Sequence, residues 1–539
     1  MAGLGWGMIP PFWDDRAQGG VSAQKDCQKR CSEQGKYTQI CSFARMKHKM
    51  LFSAVSHIQS IKAVQAFLVL MVFASVPIRA QQQAYFPDPD TTIQRRLEAW
   101  QDLKFGLLMH WGAYSQWGIV ESWSICPEDL SWATGGRKPG ISDTYAGYVA
   151  AYENLAKTLN PSRFNPERWA KAAHEAGMKY VVFTTKHHDG FCMFDSKYTD
   201  YKITGTQSPF AANPRSNVTK EIFSAFRKEG FWTGAYFSKP DWHSDDYWWG
   251  KFPPSDRNCN YSIQKYPEKW AKFKEYTHRQ IDELMTDYGK VDILWLDGGW
   301  VRVKTDEEIR TELADVYENS RWSRNPQSQD IDMAGMVRAA RAKQPGLIVV
   351  DRAVPGVYQN YLTPEQHIPE TGLPYPWETC MTMAGSWSYV PNDQYKPTDE
   401  LLEKLVDIVS KGGNYLLNIG PSPEGEWHDA AYERLREIGV WIKLNGEAIY
   451  GTRMFSTFGE GERIRFTQSK DGKTRYVFLL DAPERKILLT KMPFAKNTHV
   501  SLLGKAGRLP WSKTALGTEI RFPSDAKSVG QHVWVLKVE

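Results

Sequence analysis

The feature of this sequence that most constrains its fold is an alternation of helix-like segments and short apolar runs between about residue 100 and residue 450. Two of these runs, residues 179–185 and 291–296, lead directly into the polar residues 187–189 and into Asp297. In a parallel (β/α) barrel the carboxyl ends of all the strands open on one face, and functional sites are assembled there. The pattern therefore predicts an α/β fold, a (β/α)8-like TIM barrel, with a site at the strand ends.

Local signals place the individual elements of this barrel. Asn165-Pro166 predicts the start of a helix and Gly177 its end, because proline suits the first helical turn and glycine tolerates the left-handed conformation that follows the last. Further helix and strand pairs are predicted at residues 219–229 and 231–238, 268–288 and 291–296, 331–343 and 347–351, and 401–411 and 414–419. The polar stretch 306–332 is interpreted as an insertion.

The pattern changes after Gly451. Short strand-like runs follow one another without a helix-length periodic segment between them. They lie at residues 463–467, 475–480, 486–489, 499–503, 519–522 and 532–538. We expect residues 451–539 to form a C-terminal antiparallel β-sandwich domain after a barrel domain at 81–450.

The first eighty residues differ from the rest and are interpreted as a leader. Residues 46–62 are basic without an acidic residue, residues 63–76 are apolar, and residues 78–80 end in alanine before three glutamines. This is the pattern of a secretory signal peptide that starts at Met46 or Met50, is cut near Ala80 and follows a spurious upstream extension. A transmembrane anchor is the alternative, but the apolar run is shorter than the roughly 20 residues that a span needs. We expect a periplasmic or secreted protein without stable membrane insertion after signal removal.

The leader also explains the basic net charge. Residues 1–80 hold ten Lys or Arg and four Asp or Glu, so the remaining chain is close to −1 although the whole chain is +5. Nucleic acid is therefore not an implied partner. Four cysteines remain after the leader, and they are too few and too scattered for a disulfide scaffold or a zinc cluster. A single disulfide bond between two of them is still possible in an oxidising compartment. They are Cys126, Cys192, Cys259 and Cys380.

Asp297 is the strongest candidate for chemistry. It ends an almost wholly apolar strand and is followed by Gly298 and Gly299, which leave space beside its carboxylate. Such a carboxylate can act as a nucleophile at the anomeric carbon of a sugar, or it can be a structural residue that caps the loop. Retaining hydrolysis needs a second carboxyl as acid and base, and spacing alone does not rank the three candidates. These are Glu365, Glu370 and Glu378.

Other polar and aromatic residues lie at or just after predicted strand ends. His187 and His188 are adjacent, so their side chains diverge and suit separate hydroxyl groups better than one shared metal ion. The remaining members of this pocket are His110, Glu121, Trp123, Tyr236, Asp241, Trp242 and Arg352. Two other interpretations stay open: a non-catalytic sugar-binding protein, and a metal-dependent barrel hydrolase that uses His110, His187 and His188.

Several motifs resemble those of the glycoside hydrolase family 29 α-L-fucosidases. The resemblance spans about residues 95–455 and is carried by six segments. They are residues 105–112 (FGLLMHWG), 164–169 (FNPERW), 176–191 (AGMKYVVFTTKHHDGF), 295–298 (WLDG), 414–421 (NYLLNIGP) and 445–451 (NGEAIYG).

The resemblance implies a barrel with a C-terminal β-sandwich, no metal or organic cofactor, and exo hydrolysis of terminal α-L-fucose from a fucosylated glycan with retention of configuration. It makes Asp297 the nucleophile and Glu365 the acid/base, since Glu365 follows the pair Asp351-Arg352. The implied fucose-contacting residues are His110, Glu121, Trp123, His187, His188, Tyr236, Trp295 and Arg352, with Trp387 as a wall of the pocket. The linkage cleaved and the oligomeric state, a homo-oligomer included, are left open.

Overall fold

The computed structural model describes residues 84–127, 136–319, 325–530 and 532–539. The predicted leader at residues 1–80 lies outside these ranges, so the predictions of a signal peptide and its cleavage site concern residues that are not described.

Seven parallel strands form the barrel sheet. They are β1 (Phe105–Met109), β2 (Tyr180–Lys186), β3 (Trp232–Ser238), β4 (Ile293–Asp297), β5 (Ile348–Asp351), β6 (Glu378–Thr382) and β7 (Asn414–Asn418). The strand order is β5-β4-β3-β2-β1-β7-β6, and every neighbouring pair is parallel. β1, β2, β5, β6 and β7 are buried along their whole length, which fits apolar strands covered on both faces.

A chain segment spans the gap between the two edge strands β5 and β6. The backbone N–H of Asn360 donates to the carbonyl of Val349 in β5, at 3.0 Å. Further on, the N–H of Glu378 in β6 donates to the carbonyl of Leu362, at 2.8 Å. Residues 358–366, here called the closing segment, therefore hydrogen-bond to both edges of the sheet. This segment runs back along β5 and then forward along β6.

Helices surround the sheet. They are α1 (Thr91–Leu103), α2 (Tyr145–Glu153), α3 (Pro166–Glu175), α4 (Val218–Lys228), α5 (Pro267–Asp287), α6 (Asp306–Asn319), α7 (Met333–Lys343), α8 (Thr398–Ser410) and α9 (Asp429–Asn445). As predicted, α3 begins at Asn165-Pro166: the Asn165 side chain accepts from the N–H of Arg168 at 3.0 Å, and Gly177 follows the helix with a φ of +89°. Helix α6 lies in the stretch that the sequence suggested to be only an insertion.

The C-terminal region consists of two antiparallel sheets. A five-stranded sheet has the order β12-β15-β10-β9-β8, and a three-stranded sheet has the order β11-β14-β13. The strands are β8 (Thr452–Glu460), β9 (Ile464–Ser469), β10 (Arg475–Leu479), β11 (Lys486–Leu489), β12 (Val500–Leu502), β13 (Trp511–Thr514), β14 (Gly517–Arg521) and β15 (Trp534–Val538). This arrangement agrees with the predicted β-sandwich. The sequence patterns missed β8 and β13, whose residues are largely polar or only half-buried.

The sandwich contacts the barrel through apolar residues. Phe478 and Val535 belong to the same hydrophobic cluster as the core around the barrel helices. Across this contact the indole N–H of Trp441 in α9 donates to the carbonyl of Val533, at 2.8 Å. A second cluster, which includes Phe466 and Ile520, fills the space within the sandwich.

The four cysteines of the described residues are buried, and no disulfide joins them to one another, so the bridge that the sequence left possible among them is not formed. None of the helices in the described ranges combines the length and the apolar character needed to cross a bilayer.

Candidate active site

Asp297 is the last residue of β4, and it is held from several sides. Its Oδ2 atom accepts a hydrogen bond from the Tyr236 hydroxyl at 2.7 Å, and its Oδ1 atom accepts from the N–H of Gly298 at 2.8 Å. Nη1 of Arg352 lies 3.4 Å from Oδ1, and Nε2 of His188 lies 3.8 Å from Oδ2. The side chain keeps 16% of its surface exposed, so the carboxylate is fixed but reachable.

These partners keep Asp297 ionised. Burial by itself would raise the pKa of this carboxyl, because a charged group loses its hydration in the protein interior. The positive charge of Arg352, the contact with His188 and the hydrogen bonds from Tyr236 and Gly298 outweigh burial and hold the pKa well below its usual value. A permanently charged carboxylate at this position is available as a nucleophile.

Arg352 joins Asp297 to Glu365. Its Nη2 atom forms an ion pair with Oε2 of Glu365, while its Nη1 atom faces Asp297. Arg352 directly follows β5, and Glu365 lies on the closing segment, so both residues depend on the closure of the barrel at this edge. The Glu365 side chain is 19% exposed, similar to that of Asp297. Two accessible carboxyl groups thus flank a single guanidinium group.

The other two acid/base candidates occupy different environments. Glu370 is exposed. Glu378 is completely buried in β6, where it accepts hydrogen bonds from the Tyr180 hydroxyl at 2.6 Å and from the Trp295 indole at 3.4 Å. Burial raises the pKa of Glu378 to about 7. Of the three glutamates, Glu365 is the one that shares a partner with Asp297.

Three buried histidines line the same region. Nδ1 of His110 lies 2.8 Å from Oδ1 of Asn418, the last residue of β7, and Nδ1 of His187 contacts the Ser122 hydroxyl. Burial lowers the pKa of His110 to about 4, lowers that of His188 to about 3, and holds that of His187 well below its usual range. Neutral imidazoles offer one donor and one acceptor each, which matches the hydrogen-bonding capacity of sugar hydroxyls.

Tyr236 and Trp295 pack against the charged groups of the site: Tyr236 contacts Asp297, and Trp295 contacts Arg352. Their rings stack with centroids 5.2 Å apart, and the guanidinium of Arg352 lies 5.1 Å from the centroid of the Trp295 ring. Trp295 is only 1% exposed. The structure therefore places Trp295 against Arg352 and Tyr236, the two residues that contact the carboxylate of Asp297.

Three further predicted pocket residues, Glu121, Trp123 and Trp387, lie on connections between the strands. Oε1 of Glu121 accepts a hydrogen bond from the N–H of Ser388 at 3.0 Å. Burial raises the pKa of Glu121 to about 7, and the negative charge of Glu365 makes a smaller contribution in the same direction. The ring of Trp387 lies 5.2 Å from that of His110. The ring of Trp123 lies 5.1 Å from that of His188. Trp387 and Trp123 therefore border the histidines.

One predicted pocket residue has a structural contact instead. Asp241 is buried and forms an ion pair with Lys186 at 3.1 Å, and its Oδ1 atom accepts from the N–H groups of His243 and Ser244. Its carboxylate thus fixes the loop after β3, and its membership of the pocket stays a prediction.

Two residues near His188 were not predicted from the sequence. The Trp300 ring lies 5.2 Å from the His188 ring, and the guanidinium of Arg257 lies 4.7 Å from the Trp123 ring and 5.0 Å from the Trp300 ring. Trp300 could have been found, because it follows Asp297 by only three residues at the same strand end. Arg257 lies deep in the long connection between β3 and α5, where the sequence carries no comparable signal.

The geometry is that of a sugar-processing site. It combines an ionised carboxylate, a second accessible carboxyl, neutral histidines and tryptophan rings on one face of the barrel. In the part of the chain that the structure describes, no three His, Cys, Asp or Glu side chains are grouped as a metal site. Fold and site together define a (β/α)-barrel glycoside hydrolase with two carboxyl groups in its pocket.

Comparison with known proteins identifies the family of glycoside hydrolases to which the chain belongs. The family model for α-L-fucosidase matches residues 72–447, and that for the α-L-fucosidase C-terminal domain matches residues 460–539. The chain belongs to the α-L-fucosidases of glycoside hydrolase family 29.

Individual relatives agree with this family. The chain is 29% identical to human tissue α-L-fucosidase over 475 residues, covering 83% of this chain and 90% of that protein. It is 27% identical to the mouse tissue enzyme over 480 residues, covering 84% and 94%. Among solved structures it is similar to α-L-fucosidase isoenzyme 1 from Paenibacillus thiaminolyticus, with 28% identity, 83% and 99% coverage and a TM-score of 0.65. It is also similar to Thermotoga maritima α-fucosidase in complex with a mechanism-based inhibitor, with 26% identity, 84% and 100% coverage and a TM-score of 0.63.

Proposed function

We propose that this protein is a retaining exo-α-L-fucosidase that removes terminal α-L-fucosyl residues from glycans by double displacement. The observation that carries the proposal is the arrangement of Asp297 and Glu365 on the two sides of the Arg352 guanidinium. Retaining glycosidases need one carboxylate that attacks and one carboxyl that moves a proton. The Thermotoga relative, solved with a mechanism-based inhibitor, supports the same chemistry.

In the first step Asp297 attacks the anomeric carbon, the glycosidic bond breaks, and Glu365 gives a proton to the leaving oxygen. In the second step Glu365 takes a proton from water, which attacks the anomeric carbon and releases Asp297. Glu365 must turn from Arg352 towards the glycosidic oxygen for this exchange. Tyr236 and the N–H of Gly298 stabilise the carboxylate of Asp297 when it leaves in the second step.

The pocket suits a terminal deoxysugar. Asp297 and Glu365 each keep less than one fifth of their side-chain surface exposed, which suits a site that receives the end of a glycan chain rather than its middle. His110, His187 and His188 are placed for the hydroxyls of the ring. The tryptophan rings beside His188 are suited to the methyl group at C6, where galactose would carry a hydroxyl.

Two variants test the roles of the carboxyls. We expect Asp297→Ala to abolish turnover of an aryl α-L-fucoside without loss of folding, and an active variant would refute the nucleophile assignment. We expect Glu365→Ala to lose most activity and to regain it with added azide on an activated aryl substrate, since a good leaving group needs little acid help. Glu370→Ala is the matched control and should behave like the wild type.

We further propose that the protein acts in the periplasm or outside the cell. The support is the basic, apolar and small-residue pattern of residues 46–80. Determination of the N-terminal sequence of the protein recovered from the periplasm or medium tests this proposal. A start near Gln81 is expected, whereas a cytoplasmic protein that retains residues 46–80 would contradict it.

A further inference from the structure

The C-terminal sandwich contains a cavity that shares no residue with the Asp297 site. It has a volume of about 350 Å³ and lies between the turn that follows β12 and the end of β14. Its floor is apolar and consists of the buried side chains of Leu502, Leu509 and Phe522. Ligand sites for small molecules are typically about 300–1,000 Å³ in volume, so this cavity has room for a small ligand.

The rim of this cavity is cationic. Lys505, Arg508 and Arg521 surround the apolar floor. Lys505 pairs with Asp525 at 2.6 Å, and Arg521 pairs with Glu519 at 3.0 Å. Arg508 is exposed, and no carboxylate of the described residues pairs with it. A guanidinium that no described carboxylate neutralises, at the edge of a cavity, is suited to bind an anionic group, because its planar fork matches two oxygen atoms.

The charge distribution of the whole chain points the same way. Residues 451–539 hold sixteen Lys or Arg and eight Asp or Glu, whereas residues 81–450 hold forty-one and fifty. The sandwich is therefore basic and the catalytic barrel is acidic. Such an asymmetry attracts an anionic ligand to the sandwich and away from the barrel surface.

We propose that this cavity binds an anionic sugar, one that carries a sulfate ester or a carboxylate, within the glycan on which the enzyme acts. The proposal rests on the proposed function, since that function makes the substrate a glycan. An apolar floor receives the face of a sugar ring, and Arg508 receives its acidic group. A small concave cavity with a single aromatic residue fits neither a flat membrane surface nor the stacked bases of a nucleic acid.

Affinity electrophoresis of the full chain tests this site directly. Three sets of native gels would contain dextran sulfate, polygalacturonate or neutral dextran. The three polymers carry sulfate esters, carboxylates and no charge, so their comparison shows which group retards the protein. We expect one or both anionic polymers to retard the wild type and dextran to have no effect. Arg508→Glu should weaken the retardation about tenfold in apparent Kd, the size of a lost charge-assisted hydrogen bond. The control is Lys513→Glu, an exposed cation of the same domain outside the cavity, which should bind like the wild type.

Three results would overturn the proposal. They are no retardation by either anionic polymer, equal losses in the Arg508 and Lys513 variants, and equal competition by a DNA duplex of the same charge. If Arg508→Glu melts at a lower temperature than the wild type, Arg508→Gln replaces it and must show the same loss. Because binding is measured without turnover, failure of the Asp297 experiment would refute the proposed function and leave this result interpretable.

Discussion

At the scale of single residues, the site depends on a contrast between neighbouring ionisable groups. Arg352 and two hydrogen-bond donors stabilise Asp297 as an anion. Glu378 is shielded from water, and its burial raises its pKa to about 7. Asp297 is the last residue of β4, and Glu378 is the first residue of β6. Their environments, rather than the carboxyl group itself, shift the two pKa values in opposite directions.

The raised pKa of Glu378 makes a prediction about stability. A carboxyl whose pKa is higher in the folded state stabilises the fold fully below its unfolded pKa of 4.5, and this contribution is lost as the pH rises through about 7. Glu378→Gln cannot titrate. Between pH 5 and pH 8 the wild type should therefore lose stability relative to this variant, by at most about 1.4 kcal/mol per pH unit.

Urea unfolding of both proteins at pH 5 and pH 8 measures this difference. Stability curves of the two proteins that stay parallel over this range would show that Glu378 is not the group that titrates.

At the scale of elements, the turn after β4 sets the position of Asp297. Gly298 has a φ of +89°, and a Cβ atom there would lie 2.3 Å from Cδ of Pro240, at the end of the neighbouring strand β3. The turn therefore needs glycine for two reasons, its backbone conformation and the close approach of the next loop.

Gly298→Ala should consequently lower both stability and kcat/KM, because the clash displaces the loop that holds Asp297. Gly230→Ala is the matched control: Gly230 has a similar φ of +82°, but a Cβ atom added there would meet nothing within 4 Å. The control should lose about 1–2 kcal/mol of stability from the left-handed backbone alone and keep its activity. Thermal unfolding and fucoside kinetics of both variants separate the two effects, and equal activities would contradict the role given to this turn.

Helices and strands that are marked by nearby proline, glycine or apolar residues could be predicted from the sequence. Segments whose hydrogen bonds depend on distant parts of the chain could not. Helix α3 and strand β2 follow from Pro166, Gly177 and a continuous apolar run, and the structure confirms them. The closing segment has no such signal, because its hydrogen bonds depend on where β5 and β6 lie. For the same reason spacing could not separate Glu365 from Glu370 and Glu378, and the resemblance to a family was needed to select it.

At the scale of the whole molecule, the barrel and the sandwich share a hydrophobic core. Phe478 and Val535 of the sandwich are buried in the cluster that extends around the barrel helices, and Trp441 adds a hydrogen bond across the contact. Separation of the two parts would expose this apolar surface to water, which is unfavourable in proportion to its area.

We therefore expect heat inactivation and unfolding of the sandwich to occur together. Val535→Ala, which removes two buried methyl groups far along the chain from Asp297, should lower the temperature of both events equally. Calorimetry together with residual activity after heating checks this expectation. Two separated transitions, with activity following only one of them, would show that the two parts unfold independently.

The central claim is that Asp297 and Glu365 cleave the fucosidic bond in two displacements. The most direct test is proton NMR of an aryl α-L-fucoside during its first minutes of hydrolysis, before free fucose mutarotates. Two inversions at the anomeric carbon predict α-L-fucose as the first product. If β-L-fucose appears first, water attacks the substrate directly, and the roles assigned to these two carboxyl groups are wrong.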